Sequence, residues 1–224
     1  MRIVSNLLPH GLRERCRRAY DSFYCKSAAD KETIGGLSQW TIVTRDMLPD
    51  AVVYSGGVGE DISFERELIR RFGINVHIFD PSPVARRSID LANSDHLFFQ
   101  PVGLAASTVA HFSLGGGEGD RTWFKSGGQD AVACTTLDLE MEKNGHAAID
   151  LLKIDIEGFE YEVLESCLSK HIPIKQICVE FHDFFPEIPK QRTKAMIEAL
   201  KSNGFELIHR HRHDHTFLQM EPVL

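Results

Sequence analysis

The sequence of 224 residues is short of several things, and each shortage argues against a class of protein. Cysteine is sparse. Cys16, Cys25, Cys134, Cys167 and Cys178 are odd in number, scattered, and never spaced C-x-x-C. That argues against a disulfide framework and a cysteine-built zinc site. No apolar run approaches the length of a membrane span, and the apolar stretch within "MRIVSNLLPHGLRERCRRAY" is too short for a signal peptide. A cytoplasmic chain is expected. Positive charge is in deficit: 25 Lys and Arg stand against 32 Asp and Glu, a net charge of −7. A surface of that sign is a poor partner for nucleic-acid phosphate or an anionic membrane. The local cluster of Arg13, Arg15, Arg17 and Arg18 around Glu14 reads as a solvated helix face. What remains is an ordinary globular composition, 42% hydrophobic and 25% charged, on a chain long enough for one good core.

What is there starts with "VVYSGGVGEDISFERELIRRFG", Val52 to Gly73. Two valines and a tyrosine feed a glycine loop. A helix follows, with Phe64, Leu68 and Phe72 on one face. The loop is no phosphate-cradling P-loop, because Gly59 runs into Glu60 and Asp61 instead of Lys and Ser/Thr. It is no full dinucleotide fingerprint either, because Ile62 stands where the third glycine belongs. Ser55, Gly56, Gly57 and Gly59 suit a ligand that needs close backbone approach and carries positive charge, as S-adenosylmethionine does. On this stretch alone a plain glycine-rich turn fits equally. Asp80 ends the next strand, 21 residues beyond Gly59, the spacing at which an acid takes ribose hydroxyls. A turn or cap before Pro81 is its other reading.

From Ala51 onward strands and helices alternate, which predicts an α/β, Rossmann-like, mostly parallel sheet with helices on both faces. The last two strands, around "HRHDH", should form an antiparallel hairpin. Residues 1–45 read as an N-terminal helical cap, with a basic helix over 10–28, and residues 46–224 as the main domain. Ligands of such sheets lie beyond the carboxyl ends of the strands, so the residues that end strands matter. Asp155 and Glu157 follow "LLKI", while Glu180 and His182 end "ICVEFH". Carboxylates with a histidine can deprotonate a hydroxyl or bind a hard cation. Helix capping explains one acid, but the set exceeds what a cap needs. His209, His211, His213 and His215 would share one strand face. Zinc is conceivable there, and a polar turn with exposed histidines is the preferred reading.

"LLKIDIEGFEYEVLE" closely resembles the hallmark segment of the FkbM-type methyltransferases. "VYSGGVGEDISFE", "HIFDPSP", "VGLA", "TTLDLE" and "VEFHDF" resemble its other blocks, in the expected order, over about residues 40–220. The resemblance implies the seven-stranded class I fold and S-adenosylmethionine-dependent methyl transfer. It implies an acceptor hydroxyl on a sugar or small metabolite; from the acidic charge, neither nucleic acid nor membrane is expected as partner. By the same resemblance the loop from Ser55 to Gly59 holds the methionine part, Asp80 the ribose, and Val102 and Gly103 the adenine. Asp155 lies beside both ligands. His182 is the expected proton acceptor. Asp155 and Glu157 orient the acceptor or, with Glu180, hold a divalent cation; no tightly bound metal is expected. The chain departs from the class I pattern at Val53 and Ser55, where an acid and the first glycine are usual, and Glu60 or Asp61 is expected to compensate. A catalytically silent scaffold and a nicotinamide-dependent oxidoreductase stay open as alternatives. Acceptor pockets in this fold come from insertions, here residues 1–45 and 105–130.

Overall fold

A computed structural model describes residues 25, 30–108, 112–116, 122–126 and 132–220, with 112–116 and 122–126 as backbone only. The predicted helix over 10–28 lies outside the described residues, apart from Cys25.

The first element among the described residues is a hairpin, β1 (Lys31–Gly35) and β2 (Gln39–Val43). The sequence reading had the chain loosening here, inside a helical cap. The period-2 signal is weak because four of the five β1 residues are exposed and only Ile34 is buried. Then follow β3 (Val53–Gly56), α1 (Ser63–Phe72), β4 (Val76–Phe79), α2 (Pro83–Ala92), β5 (Leu97–Gln100) and β6 (Gly103–Leu104). The expected single strand "HLFFQPVGL" is broken at Pro101, which has no N–H to give a ladder. β7 (Phe112–Gly116) and β8 (Thr122–Ser126) pair antiparallel, as the expected hairpin. β9 (Cys134–Thr135) and α3 (Leu137–Asn144) lead to β10 (Ile149–Ile154), α4 (Glu160–Ser169), β11 (Ile174–Glu180), α5 (Lys190–Ser202), β12 (Phe205–His211) and β13 (Asp214–Gln219).

The main sheet has seven strands in the order β12-β13-β11-β10-β3-β4-β5. β11, β10, β3, β4 and β5 are parallel, and β13 is antiparallel to both its neighbours. This is the Rossmann-like sheet with a C-terminal hairpin. Its chain order reverses between β3 and β10, so their carboxyl ends open the ligand crevice.

Alternation along the strands splits the core. Val53, Val76, Ile78 and Leu151 pack under the β1–β2 hairpin, α1 and α2. Tyr54, Phe79, Leu152 and Ile154 pack against α3, α4 and α5. The helices stop where the sequence stops them. Gly73 and Gly145 are left-handed C-caps, and Ser82 caps α2 with Pro83 in the first turn.

The β1–β2 hairpin is fastened to the sheet through its own main chain. The Gln176 amide accepts from Val43 N at 2.8 Å and donates to Val43 O at 2.9 Å. Thr216 Oγ1 donates to Thr41 O at 2.6 Å. At the turn, Asp61 accepts from Ser38 N and Ser63 Oγ from Gly36 N.

Candidate active site

Gly57 has φ +72°, and its N–H donates to Phe79 O. Its carbonyl accepts from Lys153 Nζ, a buried ammonium that also lies 3.9 Å from Asp155 Oδ2 and faces the Trp40 ring. A Cβ on Gly57 would overlap the Asp155 carbonyl oxygen, so glycine is required there. A Cβ on Gly59, at φ +54°, would meet nothing within 4 Å among the described residues. The loop therefore packs its first half against β10 and opens its second half to space where a ligand can reach the backbone. Asp80 sits beneath that second half. Its Oδ2 accepts from Val58 N (2.8 Å) and Gly59 N (3.0 Å), and its Oδ1 from Ser82 N. Three of the carboxylate's roughly four acceptor positions are filled, leaving about one for a ribose hydroxyl.

The Ser55 hydroxyl does not face the crevice. It is turned into the core and donates to Glu65 Oε1 at 2.6 Å. The acid beneath the loop strand is therefore Glu65 of α1, not Glu60, which is exposed, or Asp61, which holds the hairpin turn. Burial pushes the Glu65 carboxyl up, with Lys153 and Ser55 opposing. Val102 is half-buried, and Gly103 donates to Ala133 O beside Leu104. Leu104 Cδ1 comes within 2.7 Å of where a Gly56 Cβ would be, so a side chain there would have to displace the end of Leu104.

Asp155, Glu157, Glu180 and His182 are brought together, as the strand-end argument expects. The β10–α4 turn places Glu157 at φ +54° and Gly158 at φ +102°. A left-handed glutamate costs about 1–2 kcal/mol, and here the turn aims its carboxylate at His182. His182 is buried, with Nε2 3.7 Å from Asp155 Oδ1 and 3.5 Å from Glu157 Oε2. On its other side is Glu160, which sequence reasoning did not single out. Glu160 is fully buried; its Oε1 accepts from His182 N at 2.8 Å and faces His182 Nδ1 at 3.4 Å, while its Oε2 accepts from Gly158 N. The available signal was the last acid of "EGFE", which reads as a first-turn helix residue.

These contacts decide the protonation of the imidazole. Burial by itself would depress it, but the hydrogen bond and charge of Glu160, then Asp155 and Glu157, outweigh burial and push His182 up to about 9. Resting His182 is an imidazolium at neutral pH. Burial and the neighbouring Asp155 charge push Glu180 up to about 8, well above the carboxylate range.

Asp155 and Glu180 line a cleft of about 1080 Å³; His182 and Glu157 stand behind them. One wall is the β1–β2 hairpin, with Ser38, Gln39 and Trp40. The other is the β12–β13 hairpin, with His209, Arg212 and Asp214. Thr33 and residues 37–41 of the first hairpin line this cleft, and the C-terminal hairpin contributes a second wall. The four histidines do not share a face. Cross-strand partners point the same way, and His209 pairs with Thr216 whereas His215 pairs with Arg210. His215 is buried, and burial pushes it down to about 3. Burial, then Lys31 and His211, push His209 down to about 4. Neither is the exposed turn residue expected from sequence.

The Methyltransferase FkbM domain family matches residues 50–207, which contain the loop, Asp80 and all four strand-end residues. The chain belongs to the FkbM methyltransferase family. As a member of that family it is an S-adenosylmethionine-dependent methyltransferase. No curated protein matches the chain. Among solved structures this FkbM chain is similar to a fibrillarin pre-rRNA processing protein of Methanococcus jannaschii, at 12% identity and TM-score 0.45, covering 88% of this chain and 86% of that one. It is similar to a methyltransferase of Pyrococcus furiosus, at 11% identity and TM-score 0.40, covering 92% and 98%. It is also similar to TYW2 of M. jannaschii in complex with AdoMet, at 11% identity and TM-score 0.34, covering 88% and 89%.

The residues of this FkbM domain fit the cofactor. Gly59 leaves open space beside the backbone, and Asp80 retains acceptor capacity next to it.

Proposed function

We propose that the protein methylates a hydroxyl of a small, polyhydroxylated acceptor such as a sugar, in the cytoplasm, and that nucleic acid is not its substrate. The supporting observation is the cleft that opens onto Asp155 and Glu180. Its lining is rich in hydroxyl, amide, imidazole and carboxylate groups, with Trp40 and Phe184 as aromatic surfaces. Among the described residues no helix is long and apolar enough to cross a membrane.

S-adenosylmethionine, when bound, supplies an activated methyl carbon. Ser55 to Gly59 would hold its methionine part by backbone, Asp80 its ribose, and Val102 and Gly103 its adenine. The chain must align an acceptor hydroxyl and take its proton. His182 was the expected acceptor because free imidazole titrates near neutrality. As an imidazolium it cannot accept. Asp155 takes the role in this reading: it lines the cleft, with Lys153 and His182 beside it. Glu180 orients the acceptor by its proton, and Glu157 fixes the His182 ring. The test is methyl transfer from S-adenosylmethionine to polyhydroxylated acceptors, before and after exhaustive chelation.

Chelation addresses a second point. Ligand atoms of Asp155, Glu157 and His182 lie within 4.8 Å of one another, a spacing compatible with a divalent ion. We favour charge balance by protons on His182 and Glu180 and by Lys153. Turnover is therefore expected to survive EDTA unchanged. Loss with EDTA and recovery with magnesium or manganese would make the three residues ligands.

The proton on His182 also predicts a pH dependence. Its folded pKa lies above the unfolded value of about 6.5. The stabilisation is thus complete below pH ~6.5 and disappears as pH rises through about 9. Urea unfolding of wild type and His182→Gln should show a stability gap that narrows over this window. A gap that widens with pH would show the histidine to be buried neutral.

A further inference from the structure

The two walls of the cleft are unequal in their hydrogen bonding. Of the three carboxylates that line it, Asp155 and Asp214 stand beside basic side chains, and Glu180 has none within ion-pair distance among the described residues. Asp155 has Lys153 at 3.9 Å and His182 at 3.7 Å, and Asp214 has His211 at 3.8 Å. Nearby, Asp183 holds His213 at 3.0 Å. The donors are less well served. Trp40 is 5% exposed and lines the cleft, yet its indole N–H has no partner among the described residues. A buried N–H without an acceptor is costly, about 1–3 kcal/mol, so it marks a place where a ligand atom belongs. Arg212 occupies the tip of the β12–β13 turn at φ +57°, lines the cleft, and has no carboxylate within ion-pair distance among the described residues. Gln39, also in the lining, has a free amide there, and His209 adds a neutral imidazole.

We propose that the cleft takes an acceptor that carries an anionic group besides its reactive hydroxyl. The hydroxyl sits at the Asp155 and Glu180 end. The anionic group is held by Arg212, with the Trp40 N–H donating into the same ligand. A guanidinium suits a carboxylate or phosphate because its donors are fixed in a planar fork. A neutral sugar would leave Arg212 unused and gains nothing from it. This inference rests on the methyl-transfer reading for the identity of the hydroxyl end, but the anion site is testable without turnover.

The chain has two tryptophans, Trp40 and Trp123, so its indole N–H spectrum contains two peaks, which Trp123→Phe assigns. The Trp40 peak is followed while glucuronate, inorganic phosphate or glucose is added. Glucuronate or phosphate is expected to move the peak saturably, and glucose is not. Arg212→Gln should weaken the anion effect by ~10-fold or more while S-adenosylhomocysteine binding stays at the wild-type level. A Trp40 peak indifferent to both anions, or an anion response unchanged in Arg212→Gln, overturns the proposal. If wild-type protein fails to bind S-adenosylhomocysteine by calorimetry, the methyl-transfer reading falls instead, a failure the indole titration does not share.

Discussion

Gly57→Ala is expected to remove cofactor binding and to destabilise the protein by about 4 kcal/mol or more. Two costs add. A non-glycine residue at φ +72° loses about 1–2 kcal/mol in the left-handed region. The larger cost is steric, because the new Cβ would overlap the Asp155 carbonyl oxygen. That atom is backbone at the end of a central strand and has no rotamer to escape into. Either the loop lifts off β10 or the end of β10 shifts. In both cases the Gly57 contacts to Phe79 and Lys153 are lost together. Gly59→Ala is the control. It bears a comparable dihedral penalty, φ +54°, but its Cβ meets nothing within 4 Å among the described residues. Its cost in urea unfolding should stay near 1–2 kcal/mol. Equal destabilisation by the two substitutions would show that dihedral strain alone matters and that the loop is not packed on β10.

Asp155→Asn carries the second large effect. The amide keeps the shape of the carboxylate but cannot hold a proton taken from an alcohol. Turnover is expected to fall by ~10²–10⁴-fold, with S-adenosylhomocysteine affinity near wild type. Glu157→Gln, two residues further on and outside the cleft lining, should cost far less, because its carboxylate faces His182 Nε2 and not the cleft. Single-turnover rates with saturating cofactor separate the two. If Glu157→Gln is as damaging as Asp155→Asn, the proton acceptor is the histidine and its carboxylate neighbours acting as a unit.

Much of this was legible in the sequence because the decisive signals were local. A valine pair before glycines, apolar residues four apart in "FERELIRRF", and acids directly after "LLKI" and "ICV" each report on a single element. The parallel sheet follows from their alternation. What escaped was non-local. Glu160 looks like any first-turn acid until β11 brings His182 against it. Glu65 looks like the middle of an amphipathic helix until its neighbour proves to be Ser55. The protonation of His182 is set by three carboxylates that reach it from a turn and a helix start preceding another strand. The cleft joins residues near 38 to residues near 212, and β1 shows almost no alternation because it lies exposed.

The fastening of the β1–β2 hairpin bears on how acceptor preference can change. Its anchors to the body at Gly36, Ser38, Thr41 and Val43 are all peptide groups of the hairpin, met by side chains of Ser63, Asp61, Thr216 and Gln176. Peptide groups are the same whatever residue carries them. The side chains that Ser38 and Gln39 present to the cleft can therefore be exchanged without undoing the attachment. The hairpin behaves as an interchangeable tool head on a fixed handle: the cleft wall can be altered at Leu37 to Gln39, provided that Trp40 to Val43, which are buried, and the four body residues that grip the peptide groups stay in place.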